Sequence, residues 1–240
     1  MRRNNFGLCV MAAASLAGVI SGRADVTLWY NGDYWGGGGG AADEISSNYG
    51  YFRVYDDFNV GAPIWQISRI WCNASMRITG VTQASWEIRS GMGPGAGGSV
   101  VASGLGTATQ TPTGRYVNLW PEYTISVSGL NVSLTPGTYW LNVSPLVGND
   151  PATGGYLNSY ASITTGANAI GTPPGNNASG LQDWTDSYAP FLNSGFDFSM
   201  GIAGTAVPEP SAGLVLLVGG SLFVQMRRPR KRLKSQVGRN

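Results

Sequence analysis

Between Asp25 and Gly204 apolar residues recur at every second position, and no stretch sustains the 3.6-residue spacing of a helix. Gln83–Arg89 sets Trp86 and Ile88 on one face, Glu87 and Arg89 on the other. Tyr123, Ile125 and Val127 alternate with Thr124, Ser126 and Ser128; Tyr139, Leu141 and Val143 alternate with Trp140, Asn142 and Ser144. Phe196, Phe198 and Met200 alternate with Asp197, Ser199 and Gly201. Period two over short runs rich in aromatic and β-branched residues predicts half-buried antiparallel strands. Further strands are expected near Leu28–Tyr30, Tyr51–Phe58, Gln66–Cys72, Ser75–Val81 and Ser99–Ala102.

Turn chemistry separates these runs. Thr135-Pro136-Gly137 fits a tight turn with Pro at i+1 and Gly at i+2, and Asn149-Asp150-Pro151 and the stretch from Thr172 to Asn177 mark longer connections. The five glycines Gly36–Gly40 read as a loop, because ordering so many would cost too much backbone entropy. Eight or more strands so punctuated predict an all-β domain, an antiparallel two-layer sandwich of jelly-roll type, over residues 25–204.

The two ends differ from this body. Arg2 and Arg3 precede an apolar run from Phe6 to Ile20, and Gly22-Arg23-Ala24 supplies small residues at the −3 and −1 positions. That order predicts a signal peptide over residues 1–24, cleaved after Ala24. Near the other end stands Val207-Pro208-Glu209-Pro210, followed by an uncharged run from Ser211 to Met226. A basic tail over 227–240 then includes Arg227, Arg228, Arg230, Lys231 and Arg232. As a helix, residues 211–226 span roughly 24 Å at 1.5 Å per residue, short of the ~30 Å hydrocarbon core but followed by a stop-transfer block of cations. The two prolines keep the entry segment extended and open to a membrane enzyme.

Pro208-Glu209-Pro210, the short apolar helix and the arginine-rich end, in that order and behind a signal peptide, resemble the PEP-CTERM sorting signal of exopolysaccharide-producing Gram-negative bacteria. The resemblance covers about residues 206–232, within a sorting segment placed at 205–240. It implies export, transient insertion in the inner membrane, cleavage by an exosortase-type membrane protease, and transfer to the cell surface or release. Tyr55-Asp56-Asp57-Phe58, Trp86–Gly91 and Val101–Gly104 loosely resemble sandwich domains joined to such signals, which bring no activity with them.

Composition then excludes several functions. The body between Asp25 and Ala206 holds five arginines, no lysine and twelve acids, a net charge of −7. A grip on nucleic acid needs many cationic contacts to phosphate, so none is expected. The chain has no histidine, which removes Ser-His-Asp and Cys-His catalysis and most zinc sites. Beyond the signal peptide only Cys72 remains, so no intramolecular disulfide forms.

Several residues carry possible chemistry. Asp56-Asp57, Asn149-Asp150 and Asp183-Trp184-Thr185-Asp186 offer oxygen ligands for Ca²⁺, but none has the spacing of a calcium loop, and the favoured reading is strand-end or turn acids, solvated or capping backbone. Trp35, Trp120, Trp140 and Trp184 offer flat faces for sugars, with core filling as the favoured competitor. A carboxylate pair for glycosidase chemistry is defined by separation in space, which no sequence displays. The expectation is therefore a non-catalytic surface or extracellular-matrix protein without cofactor or metal. A carbohydrate-binding module for extracellular polysaccharide is the alternative, and a secreted hydrolase the third reading.

Overall fold

The structure, a computed structural model, describes residues 25–37, 39–46, 50–61, 63–93, 95–148, 157–171, 180–182, 188–189 and 197–207. The expected signal peptide and the sorting segment beyond Val207 lie outside the described residues, as do Asn149–Pro151 and the stretch 172–179.

The described residues form an all-β protein with no helix. The strands are β1 (Val26–Tyr30), β2 (Gly40–Ala42), β3 (Glu44–Ser46), β4 (Gly50–Val60), β5 (Ile64–Met76), β6 (Gln83–Ser90) and β7 (Ser99–Val117). They continue with β8 (Trp120–Leu134), β9 (Gly137–Pro145), β10 (Ser159–Thr164), β11 (Gly180–Gln182), β12 (Tyr188–Ala189), β13 (Asp197–Phe198) and β14 (Met200–Val207). The main path of paired strands runs β1-β14-β5-β8-β7-β6-β9-β4-β11-β12, and every ladder along it is antiparallel.

One strand joins the two halves of this path. The first part of β7 pairs with β6, from Ser90↔Ser99 to Gln83↔Thr107. The second part pairs with β8, from Ala108↔Val127 to Val117↔Trp120. Side chains far apart along the path therefore meet. Phe58 of β4 lies 5.2 Å from the ring of Trp29 in β1 and 6.1 Å from that of Trp65 in β5. The Cys72 thiol in β5 donates to the carbonyl of Val143 in β9 at 3.0 Å. Around these contacts Trp29, Phe58, Ile67, Ile70, Ile88, Ile125, Leu141, Met200 and Ile202 are fully buried.

Trp86 and Ile88 are buried as the alternation predicts, and so are Ile125, Val127, Leu141 and Val143. Other expectations need correction. Ser75–Val81 is no separate strand: β5 runs unbroken from Ile64 to Met76, because β8 pairs with it from Trp65 to Ser75 and β10 covers its end. Ser99–Ala102 is only the start of a 19-residue β7, whose small residues Gly104 and Gly106 lie against Trp86 and Val127. The Thr135-Pro136 turn is present, but Gly137 already opens β9. Gly40 is not loop either; it begins β2 and pairs with Ser162, where a Cβ would collide with the Ala161 carbonyl. Asn142 and Ser144, expected to face water, are fully buried beneath Asp43.

Candidate functional site

The core-facing side of β5 carries Ile70, Cys72, Ala74 and Met76. Its other side carries Arg69, Trp71, Asn73, Ser75 and Arg77, a row set by the two-residue period of the strand. β8 lies alongside and places Ser126, Thr124 and Glu122 opposite Trp71, Asn73 and Ser75.

Two hollows open on this row. The first, of about 400 Å³, is lined by Tyr30, Asp33, Trp71, Asn73, Arg115 and Thr124 among others. The second, of about 390 Å³, is lined by Ser75, Arg77, Trp120 and Tyr160, with the Asn118-Leu119 turn between β7 and β8 at its rim. Asn118 takes a positive φ of 56°, a conformation asparagine tolerates in a tight hairpin turn. Leu119 beside it is 88% exposed.

A continuous polar chain lines the first hollow. The Asn73 amide donates to the Tyr30 hydroxyl at 2.9 Å and to Ser199 Oγ at 2.8 Å, and it accepts from Thr124 Oγ1 at 2.6 Å. Tyr30 donates in turn to Asp33 at 2.5 Å. Arg115 bridges two acids, 3.0 Å from Asp33 and 2.5 Å from Glu122, whose side chain is fully buried. Burial pushes the Asp33 carboxyl up, but the Tyr30 hydroxyl, the Asn168 amide and Arg115 together outweigh it and hold the group below its ordinary value. Burial, and then Asp33, push the Tyr30 hydroxyl well above the usual tyrosine range.

In the second hollow the Arg77 guanidinium lies 4.0 Å from the ring centre of Trp120, and the rings of Trp120 and Tyr160 meet at 5.3 Å. Arg69 repeats the arrangement at the far end of the row, 4.9 Å from the Trp71 ring. Such guanidinium–indole contacts hold the cation in place. The two remaining arginines of the body, Arg53 and Arg89, both reach Glu87 on β6, at 3.6 and 2.6 Å.

Of the acids singled out in the sequence, Asp56 and Asp57 fall elsewhere, and Asp150, Asp183 and Asp186 lie outside the described residues. Asp56 and Asp57 are neither at a strand end nor solvated; they sit in the middle of β4, fully or almost fully buried, and of the expected roles only backbone capping is met, by Asp56. Asp56 accepts from the Phe198 amide, and burial and the nearby Asp197 raise it well above the usual carboxylate range. Asp43 accepts from Ser144, Asn142 and the Val54 amide, and Glu44 from the amides of Asn158 and Ser159. These carboxylates tie backbone segments together. Among the described residues no three His, Cys, Asp or Glu side chains group as a metal site.

Of the tryptophans offered as sugar platforms, Trp35 is 39% exposed, Trp120 and Trp140 are half-buried, and Trp184 lies outside the described residues. Of the sorting residues only Val207 is described: it ends β14, paired with Ile64. Pro208, Glu209, Pro210, Ala24, Arg227, Arg228, Arg230, Lys231 and Arg232 lie outside the described residues. The β5 row was not singled out in the sequence. Its signal was present, since Arg69, Trp71, Asn73, Ser75 and Arg77 are spaced by two, but the division of β5 at Cys72 hid it.

No protein-family model matches this chain, and no curated protein is similar enough to it to count as a relative.

Proposed function

We propose that this chain is an exported, non-catalytic surface or matrix protein, a jelly-roll-like two-layer β-sandwich delivered by its own C-terminal sorting signal. The two-layer reading is supported by Phe58 packing on both Trp29 and Trp65, and by the change of partner along β7. The signal peptide over 1–24 directs export, the helix over 211–226 holds the precursor in the inner membrane, and the basic tail stays in the cytoplasm. An exosortase-type protease is the partner that cleaves near Pro208-Glu209-Pro210 and frees the body for the cell surface.

One observation carries this reading. Val207 is at once the last paired residue of β14 and the first residue of the sorting motif. Pro208 has no N–H to offer a ladder. Cleavage there leaves the body whole. Absence of chemistry in the body is supported by Asp33, which the Tyr30 hydroxyl, the Asn168 amide and Arg115 hold in its charged form rather than as a proton-donating acid. Deleting Pro208–Pro210 tests the proposal in a host that carries an exosortase. Unprocessed precursor should accumulate in the membrane fraction, and normal release overturns the assignment.

A second reading, a carbohydrate-binding module, is favoured by the polar and aromatic row along β5 with its two hollows.

A further inference from the structure

We propose that the second hollow, beside the β7–β8 hairpin turn, binds a neutral glycan, one whose rings carry hydroxyls and no ionised group. The inference rests on the carbohydrate-binding reading and names the class of sugar and the place where it sits.

Charge supplies the class. Among the described residues no carboxylate lines this hollow, and its one cation, Arg77, is stacked on Trp120 and has a further partner. A charged ligand would leave water without a free counter-charge to meet, whereas a neutral one gives up only hydrogen bonds. The first hollow differs. Its Tyr30, Asp33, Asn73, Arg115 and Thr124 are already bonded to one another.

The groups in the second hollow suit a sugar. The half-buried rings of Trp120 and Tyr160 meet at 5.3 Å with their planes inclined at 51°, a flat apolar surface of the kind a pyranose face covers. Beside them the Asn118 side-chain amide is exposed and has no hydrogen-bond partner among the described residues. An amide both donates and accepts, as sugar hydroxyls do, so this one residue can hold two of them.

Bare backbone keeps the hollow open. A Cβ added at Gly39 would approach Asn118 Nδ2 to 4.0 Å, and one at Gly40 would collide with the Ala161 carbonyl. The space left, about 390 Å³, is that of a small-ligand site. Pairing also sets its position. Val207 pairs with Ile64 at one end of β5, and Glu122, two residues beyond Trp120, pairs with Ser75 near the other. At about 3.3 Å per residue those positions lie roughly 36 Å apart, so the hollow opens at the end of the sheet away from the sorting motif.

The test uses the full chain in a detergent without a sugar headgroup. Calorimetric titration compares dextran, xyloglucan and galactomannan, all neutral, with polygalacturonate. At least one neutral polymer should bind, with an affinity that added salt leaves unchanged. Asn118→Gly removes the amide and suits the positive φ, so affinity should fall by about three- to tenfold while the thermal midpoint holds. Gly39→Leu sets a side chain at the hollow without a backbone clash and should abolish binding. Salt-dependent binding, or polygalacturonate bound as tightly as the neutral polymers, overturns the neutral class and leaves the carbohydrate reading standing. Full affinity in either variant overturns this hollow as the site, again leaving that reading. Binding to none of the four polymers overturns both.

Discussion

Gly201 lies beneath the indole of Trp71, its partner in the β14–β5 ladder, so closely that a Cβ on Gly201 would collide with the ring. The next strand places Tyr30 on the other side of the same glycine, and the two rings meet at 5.8 Å above it. The aromatic wall of the first hollow thus depends on a position that has no side chain.

Gly201→Ala should therefore cost about 1–3 kcal/mol, the range of a forced overpacking. Urea unfolding measures it. In a Trp71→Ala background the same substitution should cost far less, because the obstructing ring is gone, and the two changes should be strongly non-additive. Equal cost in both backgrounds would contradict the packing.

Arg115 is the only ion-pair partner of Glu122 among the described residues, and the Glu122 side chain is fully buried. Replacing Arg115 by Met leaves that carboxylate in the interior without a cation, which should cost about 3 kcal/mol at neutral pH. Adding Glu122→Gln should recover most of the loss, since a neutral amide needs no counter-charge. Chemical denaturation of the single and double variants checks both parts.

Burial raises the Asp43 carboxyl from 3.8 to about 7, against the hydrogen bonds from Ser144, Val54 and Asn142. Glu44 and Asp56 are shifted in the same direction, again chiefly by burial. A raised carboxyl keeps its proton in the folded state over a range where the unfolded chain has lost it. The folded state then binds more protons, and stability falls as pH rises. For Asp43 the stabilisation is complete below about pH 4 and is lost as pH climbs through about 7. Unfolding midpoints at pH 5, 6, 7 and 8 should fall in that order, and Asp43→Asn should flatten the slope. Asp33, held low, works in the opposite sense but at more acidic pH.

The sequence disclosed strand faces where one side meets the core and the other meets water, as in β6 with Trp86 and Ile88 against Glu87 and Arg89. It failed where both sides are covered. Asn142 and Ser144 alternate with Leu141 and Val143 like an outward face, yet Asp43 from a distant segment buries them. Asp56 read as a strand-end or turn acid because nothing local announces that Phe198, about 140 residues on, supplies it with a backbone donor in the interior. β7 was cut short because its Gly- and Thr-rich half carries little hydrophobicity, and pairing with β8 makes it a strand. The β5 row needed the strand drawn whole. The bridge from Asp33 through Arg115 to Glu122 joins residues about 80 positions apart, which periodicity does not reach.

The most direct test of the delivery account is the intact mass of the native protein recovered from cells that possess an exosortase. A mature chain beginning at Asp25 and ending close to Pro208–Pro210, collected from the cell surface or the medium, is the expected result. A cytosolic protein still carrying Met1 and the tail to Asn240 would contradict it.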